Sequence, residues 1–381
     1  MTSTALARNP PFRADQIGSL VRPAALLKAR ADFAEGKLDA AALRAAEDSA
    51  IRAVVAKQAE TGLRVVTDGE FRRDTYSDSF TTSGIRGVKV ELTEDAGWRK
   101  SDTHGHRTAR RIPAVVSRIE WGGAKNAQDF AVLKSVTDGT PSLTPKITLP
   151  GPAYIHYRAG RDNIDRGVYP SLDEFWADLV RAYHQELRAL CDAGCRYVQI
   201  DETSLVKLGD PRARALLKAR GDQWSDLLRV YVDVINAVVA GAPPELRLAI
   251  HICRSQDPSW QADTGYDPIA DAIFNRLNIA TYLLEYDNPR AGNFEPLRLL
   301  PQGKAVVLGL VSSRNPRLET LEELTRRIEE ASRYAPLDRL AVSPHCGFAT
   351  STATSNAEAE ALQWKKLART VETARAVWGE A

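Results

Sequence analysis

The 381-residue sequence predicts an α/β protein: a single (βα)8 TIM barrel over residues 1–381, with a β-hairpin inserted after the second strand at about residues 84–125. Three observations predict it. Short apolar runs alternate with longer amphipathic segments, and eight such strand-helix units can be counted along the chain. No glycine-rich phosphate turn follows an early strand, as a doubly wound open sheet would normally show. Polar or metal-liganding residues recur where the apolar runs stop, at Ser19, Glu70, Asp201, His251, Cys253, Glu285 and Cys346, and strand ends are where a barrel assembles its site.

The elements follow in order. Asp15–Leu20 is the first expected strand, closed by Gly18 and Ser19, with helical patterns over Pro23–Phe33 and Ala40–Thr61 after it. Arg64–Thr67 is the second, ending in Asp68-Gly69-Glu70. From Gly84 to Gly123 the helical pattern lapses into alternating runs such as Val88–Leu92 and Ile112–Val116, which read as the inserted hairpin. Leu143–Leu149 is the third strand, and the helix from Ser171 to Ala193 opens with Ser171 and Glu174 at capping-box spacing. Arg196–Ile200, Leu246–Ile252, Ile279–Leu284, Ala305–Leu310 and Leu340–Val342 complete the eight.

Composition excludes several classes of function. The chain is 44% hydrophobic and 26% charged, an ordinary globular balance, with no stretch long enough to cross a membrane. Fifty-one Lys and Arg against forty-nine Asp and Glu give a net charge of +2 with no dominant basic block, so no nucleic-acid footprint is present. Four cysteines in a chain this long are not a disulfide framework, and the first ten residues have no apolar run of signal-peptide length. A reducing, cytoplasmic setting is expected.

The fifth strand ends in His251-Ile252-Cys253, and alternation projects His251 and Cys253 from the same side of an extended chain. Glu285 ends the sixth strand and Cys346 follows the eighth in Ser-Pro-His-Cys-Gly. Two thiolates, one imidazole and one carboxylate suit Zn2+ and leave the centre with a net charge of minus one. Such a centre activates water poorly, but it can lower the pKa of a substrate thiol and leave the sulfur nucleophilic. His345 is the nearest rival ligand, yet neighbours on an extended segment point opposite ways, so Cys346 is taken. Cys191 and Cys195 flank a helix end and are expected to pack, and His104 and His106 fall on the surface of the hairpin. Glu70 and Asp201 would raise each other's pKa in one pocket unless a cation, such as an amino-acid ammonium, sits between them.

Taken together, Asp-Gln-Ile-Gly-Ser at 15–19, Asp-Gly-Glu at 68–70, Gln-Ile-Asp-Glu at 199–202, His-Ile-Cys at 251–253, Leu-Glu at 284–285 and Pro-His-Cys-Gly at 344–347 resemble a known family. The chain resembles the catalytic half of cobalamin-independent methionine synthase, and more closely the short bacterial proteins that consist of that half alone. The resemblance implies a (βα)8 barrel and methyl transfer to a zinc-bound homocysteine, with His251, Cys253, Glu285 and Cys346 as zinc ligands. It further implies that Ile17 and Ser19 hold the homocysteine carboxylate, through backbone and hydroxyl, while Glu70 and Asp201 bind its ammonium. The long members of the family carry an additional amino-terminal half with no counterpart here. They also have a histidine beyond the seventh strand that acts as a proton donor, where this chain has Arg314. Arginine stays protonated and cannot serve as a general acid, but it can bind an anion or stabilise developing charge. A preactivated methyl donor is therefore expected to outperform a methylfolate. Two other readings share the residues: thiol addition to an epoxide with coenzyme M, and a zinc-dependent binding protein without turnover.

Overall fold

A computed structural model describes residues 4–81, 83–93, 100–101, 107–108, 110–254, 262–349 and 356–381. After α1 (Ala24–Ala34) and α2 (Ala40–Thr61) come β1 (Val65–Val66), β2 (Ile85–Thr93), β3 (Lys100–Ser101), β4 (Arg107–Thr108), β5 (Arg110–Trp121) and α3 (Lys125–Thr137). Then follow β6 (Thr144–Pro150), α4 (Tyr154–Ala159), α5 (Leu172–Asp192), β7 (Tyr197–Asp201), α6 (Pro211–Ala219), α7 (Trp224–Ala240) and β8 (Arg247–Ile252). The chain closes with β9 (Thr281–Glu285), β10 (Ala305–Val311), α8 (Leu321–Ser332), β11 (Leu340–Pro344) and α9 (Ala357–Trp378).

Seven strands form one curled parallel sheet in the order β1-β6-β7-β8-β9-β10-β11. Side-chain alternation gives each strand two buried faces. One face contributes Val65, Tyr197, Ala249, Leu283, Val307 and Ala341 to a small inner cluster, joined by Phe12 and Ile17. The other face, with Leu149, Val198, Ile250, Leu284, Leu308 and Val342, packs into the large cluster that includes the helices. Burial on both faces explains why these strands read as continuous apolar runs.

The first expected strand does not form, and this corrects the count of eight. Ala14 makes a single parallel bridge to Val342 of β11, where Asp15 N donates to Val342 O and Val342 N to Arg13 O. Gly18 then takes φ 143°, a conformation that leaves the strand region, and a Cβ there would come 2.7 Å from Thr148 Cγ2. Beyond it, Leu20 N donates to Gly69 O, past the end of β1. Residues 13–20 thus run between the two outer strands of the sheet, touching both without entering either ladder.

Between β1 and α3, β2 and β5 pair antiparallel, with Ile85 opposite Trp121 and Thr93 opposite Arg110. Their alternating sequences meet there as expected for strands. His104 and His106 lie outside the described residues. Ser171 caps α5 by accepting from Asp173 N, but Glu174 does not complete a capping box, because its carboxylate pairs with Arg118 of β5 at 2.5 Å. Cys191 and Cys195 are buried and free, and burial pushes the Cys195 thiol up to about 12, as suits a packing residue. Among the described residues, no helix is long and apolar enough to cross a membrane.

Candidate active site

Parallel register aligns the carboxyl ends of the strands. Pro150, Asp201 and His251 are neighbours across β6, β7 and β8, and Glu285 of β9 sits opposite Gly309 of β10. The site is built on this row.

His251 and Cys253 leave β8 on the same side, and Cys346 approaches from the turn after β11. One ligand atom from each lies within 4.8 Å of the others, and all three residues are buried. His251 Nδ1 lies 3.1 Å from Leu283 O, and a carbonyl only accepts, so this nitrogen carries the proton. Whenever the ring is neutral, Nε2 carries the lone pair, and it faces the Cys253 thiol. An imidazole fixed in this tautomer by a backbone carbonyl is prepared to bind a metal. The two thiols share a hydrogen bond that pushes Cys253 well below the usual thiol range and Cys346 well above it, so the pair supports one thiolate already. Burial disfavours a charged His251, but the Cys253 thiolate and Asp201 outweigh it and raise its pKa. This donor set fits a soft or borderline cation.

Glu285 stands beside the trio rather than inside it. Its Oε2 accepts from Arg254 N at 2.8 Å, and its Oε1 accepts from Arg254 Nη2 at 2.9 Å and from Arg314 Nη2. Burial alone would raise its pKa, yet His345, Arg314 and Arg254 together hold it at about 2. Glu285, Asp287 and His345 form a second group whose ligand atoms lie within 4.8 Å of one another. His345 Nδ1 accepts from Ser313 N at 3.0 Å, and Arg314 also reaches Asp287 at 3.5 Å. The expected fourth ligand is therefore an ionised carboxylate held by two guanidinium groups at the edge of the thiol pair.

On the opposite side are the two expected ammonium binders. Glu70 lies in the turn after β1 with φ 60°, fixed by Asp68 Oδ1 accepting from its N at 2.9 Å. Its Oε1 accepts from Thr148 Oγ1 at 2.8 Å and lies 3.5 Å from Arg73 Nη1, while Oε2 is buried with no hydrogen-bond partner among the described residues. Asp201, the last residue of β7, accepts from Gln199 Nε2 at 2.7 Å. Burial raises its pKa to about 7, with Glu70 and Cys253 adding to the rise and His251 and Gln199 opposing it. Glu70 adds to the cost of a charged Asp201, and a cation placed beside Asp201 would relieve it.

Ile17 and Ser19 reach this region from residues 13–20. The Ile17 carbonyl accepts from Gln199 Nε2 at 2.7 Å. Ser19 packs on Gly347, one residue past Cys346, so closely that a Cβ there would stand 1.9 Å from Ser19 Oγ. Only glycine fits. The residues singled out from sequence thus converge on one end of the sheet, with Arg314 reaching it through Glu285. Sequence reasoning missed Arg254, Arg73 and Gln199. Arg254 directly follows Cys253, but only its complete burial in the structure marks it as a residue that requires an acid.

A curled parallel sheet with one imidazole and two thiols converging at its strand ends defines an α/β enzyme with a possible His/Cys/Cys metal centre. The chain belongs to the family of the cobalamin-independent synthase, catalytic domain, whose family model matches residues 12–371, and it is a methyltransferase of the cobalamin-independent type. It is 37% identical over 373 residues to the uncharacterized protein YxjH of Bacillus subtilis, with 97% of this chain and 96% of the relative covered. It is 28% identical over 350 residues to the methionine synthase of Saccharolobus solfataricus, covering 90% of each. A crystal structure from Listeria monocytogenes, of a candidate vitamin-B12-independent methionine synthase, matches with a TM-score of 0.75 at 31% identity, over 97% of this chain and 98% of that one.

Proposed function

We propose that the protein methylates the sulfur of homocysteine to give methionine, with Zn2+ bound by His251, Cys253, Cys346 and Glu285. The observation that carries this reading is the buried cluster of His251, Cys253 and Cys346, whose ligand atoms lie within 4.8 Å of one another. Zinc in such a sulfur-rich set supplies a lowered pKa for the substrate thiol while keeping its sulfur nucleophilic. The chain's own residues do the rest. Glu70 and Asp201 bind the ammonium, Ser19 and the backbone at Ile17 hold the carboxylate, and Arg314 keeps Glu285 ionised. As the S–CH3 bond forms, the bond to the donor breaks and its electron pair leaves with the donor. Arg314 cannot protonate that leaving group, so a preactivated donor suits the site. We further read the chain as one cytoplasmic barrel-like domain in which residues 13–20 lie between the outer strands of the seven-stranded sheet and the β2–β5 pair is an insertion between β1 and α3.

Metal analysis and calorimetry test the proposal. One zinc per chain is expected, and Cys253→Ser and Cys346→Ser should each lose it while the circular-dichroism spectrum is kept. Full metal content in either variant would remove the ligand assignment. Homocysteine should bind more tightly than coenzyme M, which lacks an ammonium group; the reverse order would favour thiol addition to an epoxide.

A further inference from the structure

The amide of Gln199 lies two residues before Asp201 on the same face of β7 and makes three hydrogen bonds. Its Oε1 accepts from Lys146 Nζ at 2.9 Å, and its Nε2 donates to Ile17 O and to Asp201 Oδ1, each at 2.7 Å. This orientation is dictated. An ammonium has donors only, so the amide oxygen must face Lys146 and the NH2 must face the two oxygens. A flipped amide would set a donor against a donor at Lys146 and an acceptor against an acceptor at both other contacts.

Lys146 itself is immobilised. Its side chain is wholly buried on β6, paired with Asp15 Oδ1 at 2.7 Å and donating also to Gln16 O. Asp15 Oδ2 in turn accepts from Tyr197 OH at 2.9 Å. A fully buried ion pair is a poor source of net stability, because desolvation of both charges offsets their attraction. Its place beneath the site gives it another use. We propose that Gln199, its amide locked by the buried Lys146–Asp15 pair, is the positioning residue that turns Asp201 toward the substrate ammonium and fixes the Ile17 backbone beside it. The inference rests on the reading that Asp201 binds that ammonium. With Oδ1 taken by Gln199, no donor meets the other Asp201 oxygen among the described residues, and that oxygen is the one left for substrate.

Two thiols separate positioning from mere packing: homocysteine, and 4-mercaptobutanoate, which is homocysteine without its amino group. Calorimetric titration of the zinc-loaded protein requires no methyl donor. The unaltered protein should prefer homocysteine by at least about tenfold, the usual worth of a charge-assisted contact. Gln199→Leu removes all three hydrogen bonds; Gln199→Glu keeps the shape and the Lys146 contact but has no proton to give Asp201 or Ile17. In both variants the preference should fall below about threefold, with 4-mercaptobutanoate bound within about twofold of the original and zinc content unchanged. Equal weakening of both thiols, or a preference that survives in the variants, overturns the inference. Should Gln199→Leu fail to fold, the isosteric Gln199→Glu carries the test. Equal binding of the two thiols by the unaltered protein would overturn the ammonium reading itself, and this inference with it.

Discussion

At the scale of single residues, Asp201 is, on the proposed reading, the group whose charge state would answer most directly to substrate. Its pKa of about 7 comes first from burial and then from Glu70, so an incoming ammonium should draw it back toward the usual carboxylate range. Asp201→Asn keeps an oxygen for Gln199 but gives up the charge. Homocysteine affinity should then fall by about 1–3 kcal/mol, read by calorimetry, with zinc content unchanged. Arg314 poses the complementary question on the donor side. Arg314→His should raise the rate with methyltetrahydrofolate, by up to about 10²-fold if the imidazole is well placed, and a flat rate would mean that another group supplies the proton. His251 and Cys253 were legible because alternation along one strand puts them on one side. The clamp of Arg254 and Arg314 on Glu285 was not, because it joins three residues far apart in sequence whose distances only the sheet register fixes.

At the scale of elements, the short helix α4 is tied to its neighbours by His156. Its Nδ1 lies 2.9 Å from Tyr231 OH of α7, and its ring packs 5.4 Å from Trp176 of α5. Burial, with Arg220 adding to it, depresses the pKa from 6.5 to about 4. The unfolded chain therefore binds this proton more readily than the folded one. The contribution is fully present above pH 6.5 and is lost as the pH falls from there through about 4, to the extent of roughly 2–3 kcal/mol by pH 4.5. Urea unfolding at pH 7 and pH 4.5 should show a fall in stability smaller by that amount in His156→Gln; an identical fall would assign acid sensitivity elsewhere. Helix ends were only partly legible. The Ser171 and Glu174 spacing located the start of α5, but Arg118 on a distant strand captured the glutamate, whereas Thr320 and Glu323 of α8 form a complete reciprocal cap. Local spacing states which bonds are available, and tertiary partners decide which are made.

At the scale of the whole molecule, the strand runs were legible because burial on both faces leaves them uninterrupted, as in Ala305–Val311. The first strand was misread for a physical reason: Asp15–Leu20 has the composition of a strand, but Gly18 at φ 143° turns it between β11 and β1. That same segment carries Ile17 and Ser19. On the proposed reading, whatever opens it dismantles one wall of the homocysteine site, so occupancy and closure would be thermodynamically linked. Bound homocysteine should act as a clasp at the amino terminus, slowing amide hydrogen exchange at Asp15, Leu20 and Val342 by a factor approaching one plus the ratio of ligand concentration to Kd. Deuterium uptake indifferent to ligand would mean that the segment opens with the pocket intact. If the clasp holds, this protein will be most open to proteolysis at its amino terminus when its substrate is scarce.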